Sequence, residues 1–433
     1  MSHHKSNSVF QGLAARLNRF PQGAPPSDLL YKILALLFTE KEAALVSRLP
    51  LRPVSTSAAA RIWQVTEKEA SVVLVGLASK ALLLDIEKEG EMVYLLPPPM
   101  AGFFEFSLMR VRSDIDQRRL SELFFEYLNV EQDFIRELLG EGETAIGRVF
   151  VNEAAIGDKS GSVVLDYERA SEVIRSASHL AVGQCYCRHK MSHLNRSCDA
   201  PQEVCMTLGI TADSLIRHNN ARRIEASEGL DLLQEAWSRN LVQCGDNVRE
   251  GVNFICHCCS CCCEPLLAVR RLAALNPIQT TNFIPSLKQE QCCGCGKCVN
   301  ICPVEALALV SANDFRDQGK RKAVFYEERC IGCGLCTRIC RQAAISLIPR
   351  PHRVITPVNT AHRVVLMALE RGKLPQLFFD NQLCLSHRAM AAVIGAILKL
   401  SPVKRLLAHK QIKSRYLERL LEGVDVGRLT ITS

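Results

Sequence analysis

The chain has 433 residues, 48% hydrophobic and 23% charged, which fits a folded protein of three or so domains and excludes low-complexity or fibrous classes. Its 21 cysteines are an odd number, and the N-terminus, MSHHKSNSVFQG, lacks the apolar core of a secretory leader. A disulfide framework is therefore a poor account, and metal ligation in a reducing cytoplasm a better one.

Residues 1–27 are polar, end in PQGAPPS and are expected to form a mobile tail. A domain of residues 28–100 follows. Two short amphipathic helices are expected over 28–50 and two more over 56–83, the last opening with a capping box at Thr66 and Glu69. Leu82–Ile86 and Met92–Leu96 flank EKEGE as a hairpin. Helices followed by such a wing look like a winged-helix domain. The last of the four helices, the one that would enter the major groove, begins Glu67, Lys68, Glu69, and the wing carries Glu87, Glu89 and Glu91, a poor surface for phosphates. We therefore expect no nucleic-acid partner there, and a protein-docking or scaffold role instead.

A helical connector is expected over 101–166, then a cysteine-rich α/β domain over 167–276. In it a helical pattern from Ala170 to Ala181 runs into CYCRHKMSHLNRSCDAPQEVC, with Cys185, Cys187, Cys198 and Cys205. A second helix, EGLDLLQEAWSRNLV, leads through Cys244 to ICHCCSCCC, with Cys256, Cys258, Cys259, Cys261, Cys262 and Cys263. Cysteine is a common small core residue, yet eleven in about 80 residues beside Arg188, His189 and His257 do not read as packing. Ligation of at least one further iron-sulfur cluster is expected, with structural zinc and inert or redox thiols as alternatives. The natural grouping takes Cys185, Cys187, Cys198 and Cys205 as one site. Members of the second run, Cys256, Cys258, Cys259 and Cys262 among them, would form another, and mixed groupings are equally open. His189, His193 and His257 are better read as surface or hydrogen-bonding residues than as ligands.

Residues 277–349 carry the most specific motif. CCGCGKCVNICP places Cys292, Cys295, Cys298 and Cys302 at x2, x2, x3 spacing before Pro303, and CIGCGLCTRIC repeats it at Cys330, Cys333, Cys336 and Cys340. In a two-cluster arrangement each cluster takes three thiolates of one run and the fourth of the other. The first would take Cys292, Cys295, Cys298 and Cys340, the second Cys330, Cys333, Cys336 and Cys302. Gly294, Gly296, Gly332 and Gly334 permit the tight loops this needs. Zinc knuckles, the alternative, rarely use eight cysteines in two such runs. Cys293 reads as a small packed residue.

The segment from about 278 to 348 resembles the bacterial two-cluster ferredoxins, with Arg341 where they usually have Pro. In its order of parts the whole chain looks like a group of ferredoxin-type iron-sulfur proteins of anaerobic metabolism. That resemblance implies 4Fe-4S binding and electron transfer, without a defined substrate. The expected cofactors are two 4Fe-4S clusters, with one or two further iron-sulfur clusters in the second cysteine set, and the expected partners are redox proteins.

Residues 350–433 should form a basic helical segment with 14 Lys/Arg against 5 Asp/Glu, a net of +9 in a chain whose total is +8. It could steer an acidic partner, rest on an anionic lipid surface, contact nucleic acid, or be only a solvated face. Cys384 within it reads as a buried core thiol. No run reaches 18 apolar residues, so no membrane span is expected, with peripheral association left open. The fold class is thus α+β and multidomain.

Three functions compete. The first is an electron-relay protein or subunit in the cytoplasm. The second is an oxidoreductase using an extra metal site, although no dinucleotide fingerprint, P-loop or nucleophile elbow is present. The third is an iron-sulfur redox sensor acting through the winged helix.

Overall fold

Polar caps and apolar spacing set the first elements. The computed structural model describes residues 2–131, 133–140, 142–156, 164–271, 278–312 and 319–378. It divides into two compact units, one of Met1–Thr144, Ile210–Arg222 and Val358–Ser433, the other of Ala145–Gly209 and Arg223–Pro357.

In the first unit Ser27 caps the helix Asp28–Leu37, and Thr39 with Glu42 forms a capping box on Glu40–Val46. After strand β1 (Val54–Ser55) come helices Thr56–Trp63 and Glu67–Ser79, the latter opened by the expected Thr66–Glu69 box. Strands β2 (Leu84–Lys88) and β3 (Glu91–Leu95) are joined by Glu89 and Gly90. Both have positive φ, 52° and 80°, as a two-residue hairpin turn requires. The sheet order is β1-β3-β2. Within this unit Asp85 of β2 accepts from Ser214 Oγ at 2.6 Å and pairs with Arg217 at 2.8 Å and His218 at 3.0 Å.

Residues 1–27 are not a mobile tail. Ser2–Leu17 is a helix whose Phe10, Leu13, Ala14 and Leu17 are buried, and Arg16 Nε donates to the Leu49 carbonyl at 2.6 Å. Those four apolar residues recur at i, i+3, i+4 and i+7, a helix face that the polar first eight residues obscured. Leu13→Ala should destabilise this unit by about 2–5 kcal/mol. A urea melt unmoved by the substitution would count against the packing described.

The connector also ends sooner than expected. In the second unit β4 (Gly147–Val149) already belongs to a sheet with β5 (Leu180–Gln184), β6 (Glu203–Leu208), β7 (Arg222–Arg223), β8 (Val242–Asp246), β9 (Phe254–Cys258) and β10 (Ile278–Gln279), in the order β10-β4-β8-β9-β6-β5-β7. The ladder from β4 to β5 is antiparallel, and β10 adds to β4 in parallel. The helical pattern expected to Ala181 stops at Ser176, because Leu180, Ala181 and Val182 form the continuous buried run of a covered strand. Both cysteine-rich stretches therefore begin at strands, not at helix ends.

Each sheet face carries its own core. Helix Ala170–Ser176 covers one face with Val173 and Ile174 against Val182, Met206 and Ile255. Helix Glu264–Arg271 covers the other with Leu266 and Val269 against Val242, Cys244 and Cys258. Val304, just past the first C-x2-C run, and Ile331 and Leu335 of the second pack into the second core, so residues 277–349 share this unit rather than stand apart.

Beyond that unit, helices Thr360–Glu370 and Leu374–Phe378 belong to the first. The rest of the basic helical segment expected over 350–433, from 379 onward and with Cys384, lies outside the described residues. Among the described residues no helix is long and apolar enough to cross a membrane.

Candidate metal centres

The two C-x2-C runs occupy equivalent places in a small two-fold arrangement. Strand β11 (Phe283–Leu287) pairs with β14 (Ile345–Pro349), and β12 (Leu307–Ser311) with β13 (Arg321–Phe325). Each run forms a loop leading into a one-turn helix, Lys297–Ile301 or Leu335–Ile339, opened by a left-handed glycine, Gly296 at φ 74° or Gly334 at 81°. Glycine is needed one step earlier too. A Cβ on Gly294 would strike the Arg321 carbonyl, and one on Gly332 would strike Thr281 Oγ1.

Amides in and around these loops point at sulfur. Ala323 N–H donates to Cys292 Sγ at 3.4 Å, Ala306 N–H to Cys302 Sγ at 3.2 Å and Gly332 N–H to Cys330 Sγ at 3.4 Å. Such donors stabilise negative charge on thiolates. Burial pushes the Cys330 thiol up to about 11, against the pull of the Gly332 amide and the Arg350 guanidinium.

Cys302 lies with the second run. A cavity bounded by apolar residues, among them Val304, Ile331, Leu335 and Leu347, is also lined by Cys302, Cys330, Cys333 and Cys336. Cys298 and Cys336 are buried in a neighbouring core, with Cys292 and Cys340 packed against it, while Cys295 and Cys293 are exposed. Arg341 is exposed. The donor set, the glycine loops and the sulfur-directed amides all fit 4Fe-4S clusters.

The second cysteine set falls into two groups, neither of them the natural grouping of the sequence. Cys205 on β6, Cys256 on β9 and Cys244 on β8 sit on consecutive strands, with Cys244 and Cys256 directly opposed. Cys258, two residue pairs along and so on the same face, opposes Val242. Cys185 accepts hydrogen bonds from Cys187 and Cys205, which hold it well below the usual thiol range. Cys187 also reaches Cys263, and Cys263 reaches Cys258. Cys333 of the second run packs against the same core as Cys244, Cys258 and Cys263.

Cys198 leaves this group and joins the second run, one of the mixed groupings that the sequence left open. Its Sγ lies 3.7 Å from Cys259 and 3.9 Å from Cys262, and Cys262 is 3.7 Å from Cys261. The four sulfurs are all within 4.8 Å of one another. Cys261 was missing from the expected ligands. Its place in Cys-Ser-Cys-Cys, just after a strand, was the available signal, but tandem cysteines gave no basis for choosing among neighbours.

Around both groups lie buried charges. Arg188 is wholly buried, donates to the Pro201 carbonyl at 2.7 Å and to that of His257, and also reaches Cys259. Lys190 pairs with Glu264, both side chains inaccessible to solvent. His189 and His193 face each other with Nε2 atoms 3.2 Å apart. Burial, aided by Arg188, pushes His257 down to about 4, so its imidazole is neutral at pH 7.

Residues 291–347 match the family of the 4Fe-4S dicluster domain, about an eighth of the chain but the part holding both runs. Comparison with curated proteins and with solved structures gives no match. The chain thus carries a ferredoxin-type 4Fe-4S module, and with its clustered cysteines this supports an iron-sulfur role in electron transfer.

Proposed function

We propose that this chain, a ferredoxin-type 4Fe-4S protein, relays single electrons between partner redox proteins and has little substrate chemistry of its own. The observation that carries the reading is continuity within one compact unit. The thiols of the second run border the buried sheet thiols, Cys333 sharing a core with Cys244, Cys258 and Cys263.

Cys292, Cys295, Cys298 and Cys340 would hold one cluster, and Cys330, Cys333, Cys336 and Cys302 the other. A 4Fe-4S cluster exchanges one electron at a potential set by charge, hydrogen bonding and exposure. The chain's own residues set those terms differently at the two sites. Exposed Cys295 makes the first the side that meets a partner. The second is walled by apolar residues, of which Val304, Ile331 and Leu335 share a core with Cys244 and Cys258. A further iron-sulfur centre among Cys185, Cys187, Cys205, Cys256, Cys258 and Cys263 would extend the path inward.

The order helix, helix, strand, helix, helix, hairpin in the first unit supports the winged-helix reading. On its helix Glu67–Ser79, Val72 is 69% exposed and Val75 46%, beside the acidic first turn. An apolar and acidic face suits a protein partner better than phosphates. The basic C-terminal segment would orient an acidic partner, giving rates that fall as salt rises.

Redox titration of the full chain with electron paramagnetic resonance should give reversible one-electron signals from two interacting centres at low potential, silent in the oxidised protein. Irreversible reduction, or steady turnover of a small molecule by the isolated chain, would replace the relay reading with a structural or enzymatic one.

A further inference from the structure

We infer that Cys198, Cys259, Cys261 and Cys262 form a separate mononuclear site, holding one tetrahedral divalent ion, zinc or ferrous iron, rather than an iron-sulfur cubane. The argument is one of size. With metal-sulfur bonds of about 2.3 Å, the edge of an S4 tetrahedron is about 3.8 Å. The thiolates round a cubane stand farther apart, at about 6 Å, because four irons separate them. Three of the separations are 3.7, 3.7 and 3.9 Å, and none of the six exceeds 4.8 Å. That is the dimension of a single ion.

The other cysteines of the chain supply an internal comparison. Among the described residues no other group of three or more His, Cys, Asp or Glu side chains brings its ligand atoms within that distance, the eight thiols of the ferredoxin module included. The close set is therefore not a general collapse of neighbouring thiols.

Its backbone is built for the purpose. The turn after β9 is closed by Cys263 N–H donating to the Cys259 carbonyl at 3.3 Å, which brings the thiols of Cys259, Cys261 and Cys262 together. The Cys262 amide donates to the Cys259 sulfur, and the Cys198 amide to the Cys262 sulfur. Four thiolates round a divalent ion carry a net charge of about −2, and wholly buried Arg188 beside Cys259 opposes it. All-sulfur donors select zinc or iron over magnesium or calcium. The site clamps the loop after helix Tyr186–His193 to the loop after β9, a closed tetrahedral arrangement suited to structure rather than turnover.

The inference stands apart from the relay reading, since a structural ion would serve an enzyme or a sensor equally. Metal and acid-labile sulfide should be counted in the full chain purified anaerobically. The expected result is one metal ion per chain beyond the iron matched by sulfide, its identity separating zinc from iron. Cys261→Ser, at the exposed member, and Cys198→Ser should each lose that one ion while keeping the wild-type sulfide and the paramagnetic signals of the ferredoxin module. Chain produced with cobalt in place of zinc should show the absorption of tetrahedral cobalt thiolate, absent from Cys261→Ser. Loss of about four irons with four sulfides in either variant would overturn the assignment in favour of a cubane. So would a metal content that neither substitution changes. Should Cys198→Ser fail to fold, the wild-type metal-to-sulfide ratio and the exposed Cys261 variant still decide.

Discussion

Replacing Cys302 by serine is expected to remove about four irons per chain, and to remove them from the cluster of the second run, not from that of the run in which Cys302 sits. The cause is spatial. Cys302 follows the helix Lys297–Ile301, yet it lines the apolar cavity together with Cys330, Cys333 and Cys336. Its sulfur also accepts the Ala306 amide at 3.2 Å, which fixes its direction. A serine hydroxyl there is a harder and poorer ligand, and the apolar walls offer no ready substitute. Paramagnetic resonance of the reduced variant should lose the broadening that comes from two interacting centres and leave one simple signal. Cys340→Ser should give the mirror result, sparing the cluster of Cys330, Cys333 and Cys336. Retention of both clusters in Cys302→Ser, or damage confined to the first run, would refute the crossed assignment.

The parts of the fold that were legible in the sequence are those where local chemistry decides. Thr66 and Glu69 cap their helix because the reciprocal bonds lie within three residues. The x2, x2, x3 runs imply their loops because metal ligation and left-handed glycines dictate a short path. The N-terminal helix was missed because composition was weighed over its i, i+3, i+4, i+7 face. The strand at Leu180–Gln184 was read into a helix because a short buried run has no periodicity to separate the two. The grouping of the second cysteine set was out of reach for another reason. Cys198 meets Cys259 across 61 residues of chain, and Cys244 meets Cys256 only through antiparallel register. Contacts of that kind are products of the sheet, and no spacing rule encodes them.

A second large effect should come from a residue outside every thiol set. Glu264→Ala is expected to destabilise the cysteine-rich unit by about 3–5 kcal/mol, read as a shifted denaturant midpoint with the m-value unchanged. Lys190 and Glu264 form an ion pair with side chains 0% and 2% exposed. Lys190 lies on the helix that follows Cys185, and Glu264 opens the helix that follows Cys263, so the pair joins the two segments that carry the cysteines. Removing the carboxylate takes the closest countercharge from an ammonium whose pKa burial already pushes down, and leaves it beside Cys187, Cys262 and Cys263 and the Tyr186 ring at 6.0 Å as weaker partners. Restoring an uncharged environment should restore stability, because the cost lies in the uncompensated charge and not in lost packing. The double variant Lys190→Met, Glu264→Leu should therefore recover most of the deficit that Glu264→Ala alone creates. A double variant as unstable as the single one would mean that the charges, and not only their pairing, are needed to hold the cysteine segments together.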